Sequence, residues 1–192
     1  MGDKPHVLTI VPYYRPALDR LHEIAVVHHL HTANDKQAFL VENSEKIDAI
    51  ATFQGCNREM VERFPNLKLI ANFGVGYDGV AAQHAADKGI VTCHTPNVLN
   101  DDVANTTILL ILATMRRLIE QDAYARVGRW EHQGEAPLTT SIAGKTVGIV
   151  GLGRIGEASA HLLSVFESDV FNHSLNKHDV ALKYYGDLKM IA

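Results

Sequence analysis

Thr146-Val147-Gly148-Ile149-Val150 runs directly into Gly151-Leu152-Gly153-Arg154-Ile155-Gly156, and residues 154–166 then have the pattern of a helix. The near-continuous apolar run is typical of a parallel strand that is buried on both faces. In such a strand–turn–helix unit the first glycine permits a tight turn, the second lets the backbone approach a pyrophosphate, and the third lets helix and strand pack closely. The spacing of the glycines therefore predicts a dinucleotide site, and a turn that needs glycine for packing alone is the alternative.

The next predicted strand, 169–172, ends where the adenosine ribose lies in such units, and the residues after it are His173-Ser174-Leu175-Asn176-Lys177. NAD enzymes often carry an acidic residue at this spacing, which accepts hydrogen bonds from the ribose hydroxyls. Here the serine, asparagine and lysine offer donors and one positive charge, which favours NADP over NAD. The leucine weakens this interpretation, because arginine often binds the 2′-phosphate. A solvated loop is the alternative, and NAD stays open as the cofactor.

Composition excludes several classes of protein. The chain has 192 residues, 46% of them hydrophobic, which suits an ordinary soluble globular protein. A formal charge of −4 with mixed signs, and without a basic stripe, argues against nucleic acid as a partner. Two cysteines, Cys56 and Cys93, fit a reducing, cytoplasmic compartment rather than a disulfide framework. The N-terminus has no apolar signal-peptide core, so we expect no membrane targeting.

The order of apolar segments predicts an α/β fold. Runs at 7–11, 24–28, 47–52, 67–71 and 90–93 have the character of strands, with amphipathic helical stretches between them. This alternation predicts a parallel sheet with helices on its faces. A long helix is predicted over 101–119, and because its middle is apolar on every face we expect it to be buried between protein layers, where it joins two domains or two subunits. Residues 125–145 read as a loop with one short helix.

A second glycine turn follows one of these strands. Gly74-Val75-Gly76-Tyr77-Asp78 comes after the strand that ends at Ala71, and open parallel sheets bind ligands at the carboxyl ends of their strands. Successive N–H groups in such a turn can bind a small carboxylate. An ordinary turn that needs glycine for its backbone angles is the alternative. Asp78 is a candidate cap for the following helix.

Several segments together resemble the D-isomer-specific 2-hydroxyacid dehydrogenase family, in particular its glyoxylate and hydroxypyruvate reductase branch. Their order and spacing match the family across nearly the whole chain. These segments are residues 72–80 (NFGVGYDGV), 95–104 (TPNVLNDDVA), 128–130 (GRW) and 144–156 (GKTVGIVGLGRIG).

The resemblance implies a flavodoxin-like substrate domain, residues 1–98, followed by an incomplete Rossmann dinucleotide-binding domain, residues 99–192. It implies that Val75 and Gly76 present backbone N–H groups to the carboxylate of a small 2-keto or 2-hydroxy acid. It also implies that Arg154 and Ile155 lie against the cofactor pyrophosphate beside the three glycines. The adenosine ribose or its 2′-phosphate would then be surrounded by Ser174, Leu175, Asn176 and Lys177.

The reaction that the resemblance implies is hydride transfer from the nicotinamide to a keto carbon. An arginine orients the substrate and a glutamate-supported histidine supplies the proton. In the family all three lie after the segments matched here, so we expect no catalytic residue among these 192 residues and no activity of this chain alone. The full-length form is expected to be a homodimer. The chain departs from the family pattern at three positions. It has Asn105 where the family usually has glutamate, Leu175 where NADP-using members often have arginine, and Glu167 where glycine is common.

Other interpretations remain open. The chain is either the N-terminal portion of such a reductase or a non-catalytic nucleotide-binding module. Another two-domain nicotinamide enzyme, such as a formate or phosphite dehydrogenase, is a weaker possibility. Histidines 29 and 31 point the same way if their stretch is a strand, but carboxylates and thiols in a metal-ligand pattern are not near them. We therefore expect no metal site.

Overall fold

The computed structural model describes residues 3–53 and 55–190, without the side chain of Met190. The described strands are β1 (His6–Thr9), β2 (Val26–His29), β3 (Ala49–Thr52), β4 (Leu69–Asn72), β5 (Val91–Cys93), β6 (Thr146–Val150), β7 (Asp169–His173) and β8 (Lys183–Tyr184). The described helices are α1 (Arg15–Ile24), α2 (Lys36–Glu42), α3 (Arg58–Arg63), α4 (Ala82–Asp87), α5 (Asn100–Met115), α6 (Leu118–Arg126), α7 (Arg129–Gln133) and α8 (Arg154–Ser164). Short 3₁₀ turns lie at Leu30–Thr32 and Leu188–Met190.

The chain divides into two compact units, Met1–Pro96 and Asn97–Ala192. The first contains a five-stranded parallel sheet in the order β2-β1-β3-β4-β5, which is the flavodoxin-like order. The second contains a three-stranded parallel sheet in the order β6-β7-β8. The α/β prediction, a flavodoxin-like sheet followed by a partial second sheet, is confirmed.

One face of the first sheet carries the main core of the first unit. Leu8, Ile50 and Ile70 are neighbours in the strand register and are fully buried. Leu40 of α2, Val61 of α3 and Ala85 of α4 pack into the same apolar cluster. Two of these helices begin at side-chain caps, since Asp35 accepts hydrogen bonds from two N–H groups of α2 and Asn57 accepts one from α3. Because all pairs of strands in this sheet are parallel, their carboxyl ends lie at one edge.

Helix α5 differs from its prediction in length and burial. It ends at Met115, because Arg117 has a φ of 49° and interrupts the helical path before α6 begins. Ile108 packs with α8 residues in the core of the second unit, but Leu109 and Leu110 are 59% and 60% exposed. The described residues of this one chain therefore cover the helix only in part, and its burial between two domains or two subunits stays a prediction. None of the helices within the described residues combines the length and apolar character that a bilayer crossing requires.

The sequence predicts that strand β6 is buried on both faces, and among the described residues this expectation is wrong. Its residues alternate between exposed and half-buried, and Val150 is 62% exposed. The reason is its position at the edge of the described three-stranded sheet, where Val147 and Ile149 pack into the core formed with α5 and α8. The other face and the outer edge of β6 are left uncovered within the described residues.

The backbone explains why glycine is common in the family at the position where this chain has Glu167. Glu167 follows α8 and has a φ of 55°, which is the left-handed region that side chains with a Cβ adopt at a cost. Glycine is free of that cost. The departure from the family pattern at this position therefore concerns the conformation of the turn between α8 and β7.

Five histidines gather where β2 forms the edge of the first sheet, namely His6, His22, His28, His29 and His31. The Nε2 of His28 lies 3.0 Å from the Nδ1 of His6, so one of these nitrogens must be unprotonated. Burial first, and then the neighbouring positive charges, lowers the pKa of both His28 and His29. Strand β2 ends at His29, so His31 lies in a 3₁₀ turn and not on the same strand face.

From the lowered pKa values of His28 and His29 we predict that the first unit loses stability in mild acid. Because the folded pKa values are lowered, their stabilising effect is complete above the ordinary pKa of about 6.5 and is lost as the pH falls below it. We expect the melting temperature by circular dichroism to fall between pH 7.5 and pH 5.5, and to fall less for His28→Gln. His161→Gln, an exposed change on α8, is the control. An equal fall in the wild type and His28→Gln would contradict the prediction.

Candidate functional site

The three glycines of the β6–α8 turn meet three different backbone requirements. Gly151 has a φ of +93°, and its N–H donates to the carbonyl of His173 at 2.7 Å. Gly153 precedes the first residue of α8, and a Cβ there would find open space. A Cβ on Gly156 would lie 2.4 Å from the carbonyl oxygen of Gly151, so only glycine lets the helix approach the turn this closely. These are the requirements of a turn that holds a pyrophosphate.

The N-terminus of α8 is free to bind an anion. Gly153 provides no side-chain cap, and its carbonyl accepts the N–H of Glu157 at 2.8 Å. The N–H groups of Arg154, Ile155 and Gly156 find no acceptor among the residues that the structure describes. Free N–H groups at the positive end of a helix dipole attract a phosphate group. The structure brings all the predicted pyrophosphate-binding residues into this one turn, and their role as ligands stays a prediction.

The predicted ribose loop leaves the sheet beside this turn. Strand register places Val150 next to His173, so residues 174–177 and the glycine turn begin at the same sheet edge. Leu175 is 99% exposed and adds no polar group, as the sequence suggested. Lys177 is exposed and has no ion pair within the described part of the chain. A single uncompensated positive charge is therefore available at this position.

The hydroxyl of Ser174 and the ring of His173 already have partners. The Ser174 hydroxyl donates to the carbonyl of Asn176 at 2.6 Å, and the Ser174 carbonyl accepts the Tyr184 hydroxyl at 3.2 Å. The Nδ1 of His173 lies 2.8 Å from the carbonyl of Tyr185 and must carry the proton, because a carbonyl only accepts. These bonds hold the loop after β7 to the segment around β8, so the residues at 174–177 start from a fixed strand end.

The glycine turn after β4 is held by its carbonyl groups. Each of three consecutive carbonyls accepts a hydrogen bond from a residue at a strand end. The donors are the Thr95 N–H to Gly74 at 3.0 Å, the His94 Nδ1 to Val75 at 2.9 Å and the Asn72 Nδ2 to Gly76 at 2.9 Å. The N–H groups of Val75 and Gly76, in contrast, donate to no other described residue. The turn is fixed, and two adjacent donors remain available for a ligand.

The alternative for this turn was that Gly74 and Gly76 are needed only for backbone angles that other residues avoid. This alternative is wrong, since neither glycine has a positive φ. The expected capping role of Asp78 is also wrong. Helix α4 begins at Ala82, and its N-cap residue Ala81 makes no side-chain cap bond. A separate turn, in which the Val80 N–H donates to the Tyr77 carbonyl, lies between Asp78 and the helix.

The structure adds two residues that the sequence did not identify. The ring of His94 fixes the carbonyl of Val75. Asn97 accepts a hydrogen bond from the Arg154 guanidinium at 2.6 Å, across 57 positions of sequence. No local pattern signals a contact over that separation. A loop asparagine beside a proline is otherwise an ordinary turn residue.

The two groups whose pKa values burial raises, Tyr13 and Cys56, do not suit proton transfer near neutral pH. Burial raises the pKa of Tyr13 to about 12, and its hydroxyl donates to the carbonyl of Thr52. Burial likewise raises the pKa of the Cys56 thiol to about 11. Both groups stay protonated and serve the fold. The described residues contain no group of three histidine, cysteine or acidic side chains placed to hold a metal ion.

Comparison with known proteins gives a consistent result. The sequence profile of the D-isomer specific 2-hydroxyacid dehydrogenase catalytic domain matches residues 7–183. A glyoxylate/hydroxypyruvate reductase A of Arabidopsis thaliana is 41% identical over 157 residues, which is 80% of this chain and 50% of the relative. The chain spans about half the length of the curated relatives it matches.

Solved structures match over nearly the whole chain. A 2-hydroxyacid dehydrogenase from Ketogulonicigenium vulgare has a TM-score of 0.91 at 34% identity, over 97% of this chain and 60% of the other. An NADPH-dependent glyoxylate/hydroxypyruvate reductase from Sinorhizobium meliloti, solved with NADP and malonate, has a TM-score of 0.89 at 34% identity, over 98% and 59%.

Two substitutions in the β6–α8 turn, at Gly153 and Gly156, form a matched pair. Gly156→Ala places a methyl group against the Gly151 carbonyl and should destabilise the second unit by about 1–3 kcal/mol. Gly153→Ala has open space and an ordinary φ of −92°, so it should leave stability nearly unchanged. Trp130, the one tryptophan of the chain, lies in the second unit and reports its unfolding in denaturant by fluorescence.

The same pair separates packing from ligand approach. If the backbone at Gly153 comes close to a pyrophosphate, Gly153→Ala should weaken NADPH binding at least tenfold while the protein remains folded. NADPH fluorescence titration measures this effect. Unchanged binding by Gly153→Ala, or unchanged stability of Gly156→Ala, would refute the corresponding role.

Proposed function

Because the chain belongs to the D-isomer-specific 2-hydroxyacid dehydrogenase family, we propose that it holds the cofactor and the substrate carboxylate in an NAD(P)H-dependent reductase of small 2-keto acids, such as glyoxylate or hydroxypyruvate. The observation that carries this proposal is the β6–α8 turn. Its three glycines have a positive φ, open space and a close backbone contact, in the order that a dinucleotide turn needs. Residues 1–98 are then the substrate domain and 99–192 the first part of the cofactor domain.

The substrate carboxylate is proposed to bind the N–H groups of Val75 and Gly76. Their lack of other acceptors supports this, as does the fixation of the turn by its three carbonyls. Two backbone donors recognise a carboxylate group and leave the rest of the acid unselected. They therefore fit the family's substrate class without distinguishing its members.

The cofactor is proposed to be NADP, with NAD as the alternative. The pyrophosphate would lie at the N-terminus of α8, against the glycines and the N–H groups of Arg154 and Ile155. The adenosine ribose would lie beside residues 174–177, where Lys177 supplies positive charge and an acidic residue is absent. The Sinorhizobium relative is named as NADPH-dependent, which agrees with this choice. When bound, the nicotinamide supplies a hydride to the keto carbon.

Proton donation and substrate orientation are assigned to the family's later arginine, glutamate and histidine, which have no counterparts in the segments matched here. A non-catalytic nucleotide-binding module is the second candidate, since nucleotide binding by the β6–α8 turn does not itself require a catalytic side chain. The two free cysteines fit a reducing compartment, and we propose a cytoplasmic location.

The proposed function is tested by binding and turnover of the 192-residue chain. We expect weak binding of NADPH, tighter than that of NADH, in fluorescence titrations. Lys177→Ala should weaken NADPH binding about two- to fivefold and leave NADH binding unchanged, since an exposed charge pair contributes little. Lys189→Ala, an exposed lysine close to the C-terminal end of the chain, is the control. Failure to bind either cofactor would refute the proposal.

Turnover distinguishes a reductase fragment from a complete enzyme. We expect no oxidation of NADPH with glyoxylate or hydroxypyruvate by a mass-verified sample, because the proton donor and orienting arginine are not among its residues. Clear turnover would show that other groups perform these roles.

A homodimer is proposed from the surface of the second unit. Exposed apolar side chains follow one another along α5, α6, α7 and the segment after them. They are Leu109, Leu110, Leu118, Ile119, Val127, Trp130 and Leu138, and the last is 95% exposed. Apolar surface of this extent on consecutive elements is typical of an interface. A second copy of the same chain is the proposed partner.

The dimer is tested by one charged substitution on this surface. Ile119 is 81% exposed on α6, and Ile119→Asp should shift the sample from dimer to monomer, because a buried carboxylate opposes association. Light scattering after size exclusion measures the mass. Val165→Asp, at a residue 76% exposed at the end of α8, should leave the mass unchanged. A wild type that is monomeric at high concentration would contradict the prediction.

A further inference from the structure

The side chain of Arg154 has a specific partner within its own unit. Its Nη1 donates to the Oδ1 of Asn97 at 2.6 Å, and both residues belong to the unit that begins at Asn97. Arg154 is the first residue of α8, so its side chain starts at the helix end whose N–H groups are free. The hydrogen bond therefore holds the side chain of the residue that begins α8.

The chemistry of the partner matters because an amide oxygen accepts a hydrogen bond without cancelling a charge. Arg154 has no carboxylate partner within the described ranges 3–53 and 55–190. Its positive charge is thus held in place and left uncompensated. An acidic residue at position 97 would hold the guanidinium as firmly but would neutralise it.

The backbone at Asn97 determines which substitution can test its side chain. Asn97 has a φ of 69°, which lies in the left-handed region. Arg117 and Glu167 are the other described non-glycine residues with a positive φ. Asparagine tolerates this region better than most residues, and glycine adopts it freely. A glycine at this position therefore keeps the backbone path and removes only the amide.

We propose that Asn97 is a positioning residue, which holds the Arg154 guanidinium at the N-terminus of α8 for the cofactor pyrophosphate. This inference rests on the proposed function, since it requires a dinucleotide in the β6–α8 turn. Asn97 contacts Arg154 and acts through it. The hydrogen bond is exposed at both residues, so the contribution of Asn97 is modest.

The test compares ligands with and without a pyrophosphate. Asn97→Gly should weaken NADPH binding about two- to tenfold, the range expected for one hydrogen bond, and should leave the binding of adenosine 2′-phosphate unchanged. Arg154→Ala should weaken NADPH binding at least as much. In the Arg154→Ala background, Asn97→Gly should have no further effect on NADPH binding, because the two residues act as a unit. Asn66→Ala, an exposed asparagine of the other unit, is the matched control.

The outcomes separate this inference from the proposed function. If the wild type binds NADPH and Asn97→Gly binds it equally well, the positioning role is overturned and the proposed function stands. Equal weakening of NADPH and adenosine 2′-phosphate, or additive effects in the double variant, would show a structural role and would also overturn it. If the wild type binds no NADPH, both fail together. Trp130 fluorescence in denaturant verifies that each variant is folded, and Arg154→Ala tests the guanidinium independently of the Asn97 backbone.

Discussion

The close contact between Gly156 and the carbonyl of Gly151 is the constraint on which the candidate cofactor site depends. A methyl group at Gly156 would lie 2.4 Å from that oxygen, so any other side chain would push α8 away from the turn. With the helix in place, its first N–H groups point beyond the turn and find no acceptor among the described residues. Because Gly156 has no side chain, the N-terminal end of α8, which carries the positive end of the helix dipole, can lie against the turn.

Both candidate ligand sites use backbone donors, but they free these donors in different ways. At α8 the geometry of a helix start leaves the N–H groups without partners. At residues 74–76 the carbonyls are captured by Asn72, His94 and Thr95, which fixes the turn and leaves its N–H groups unused. Neutral donors suit anionic ligands because they bind charge without bringing a counter-charge that must itself be desolvated. Among the predicted ligand residues, Arg154 and Lys177 carry side-chain charge.

Sequence periodicity predicted the elements well and their burial poorly. The strands of the first sheet begin and end within two residues of their predicted positions, since apolar runs bounded by turn residues are a local signal. The apolar residues of β6 and α5 predict burial, yet within this one chain Val150, Leu109 and Leu110 are more than half exposed. Apolar composition predicts that a face is buried. Whether it is buried depends on which other elements pack against it.

By itself the sequence determined the α/β order, the two glycine turns and the family, because each depends on residue types at fixed short spacings. The tertiary structure decided which faces are covered, that His94 holds Val75 and that Asn97 meets Arg154. These contacts join residues far apart in the chain, and hydrogen-bonding capacity alone does not select one partner among many. Folding selects the partner within each unit. In the first unit it brings the residue after β5 to the turn after β4, and in the second it brings the segment before α5 to the start of α8.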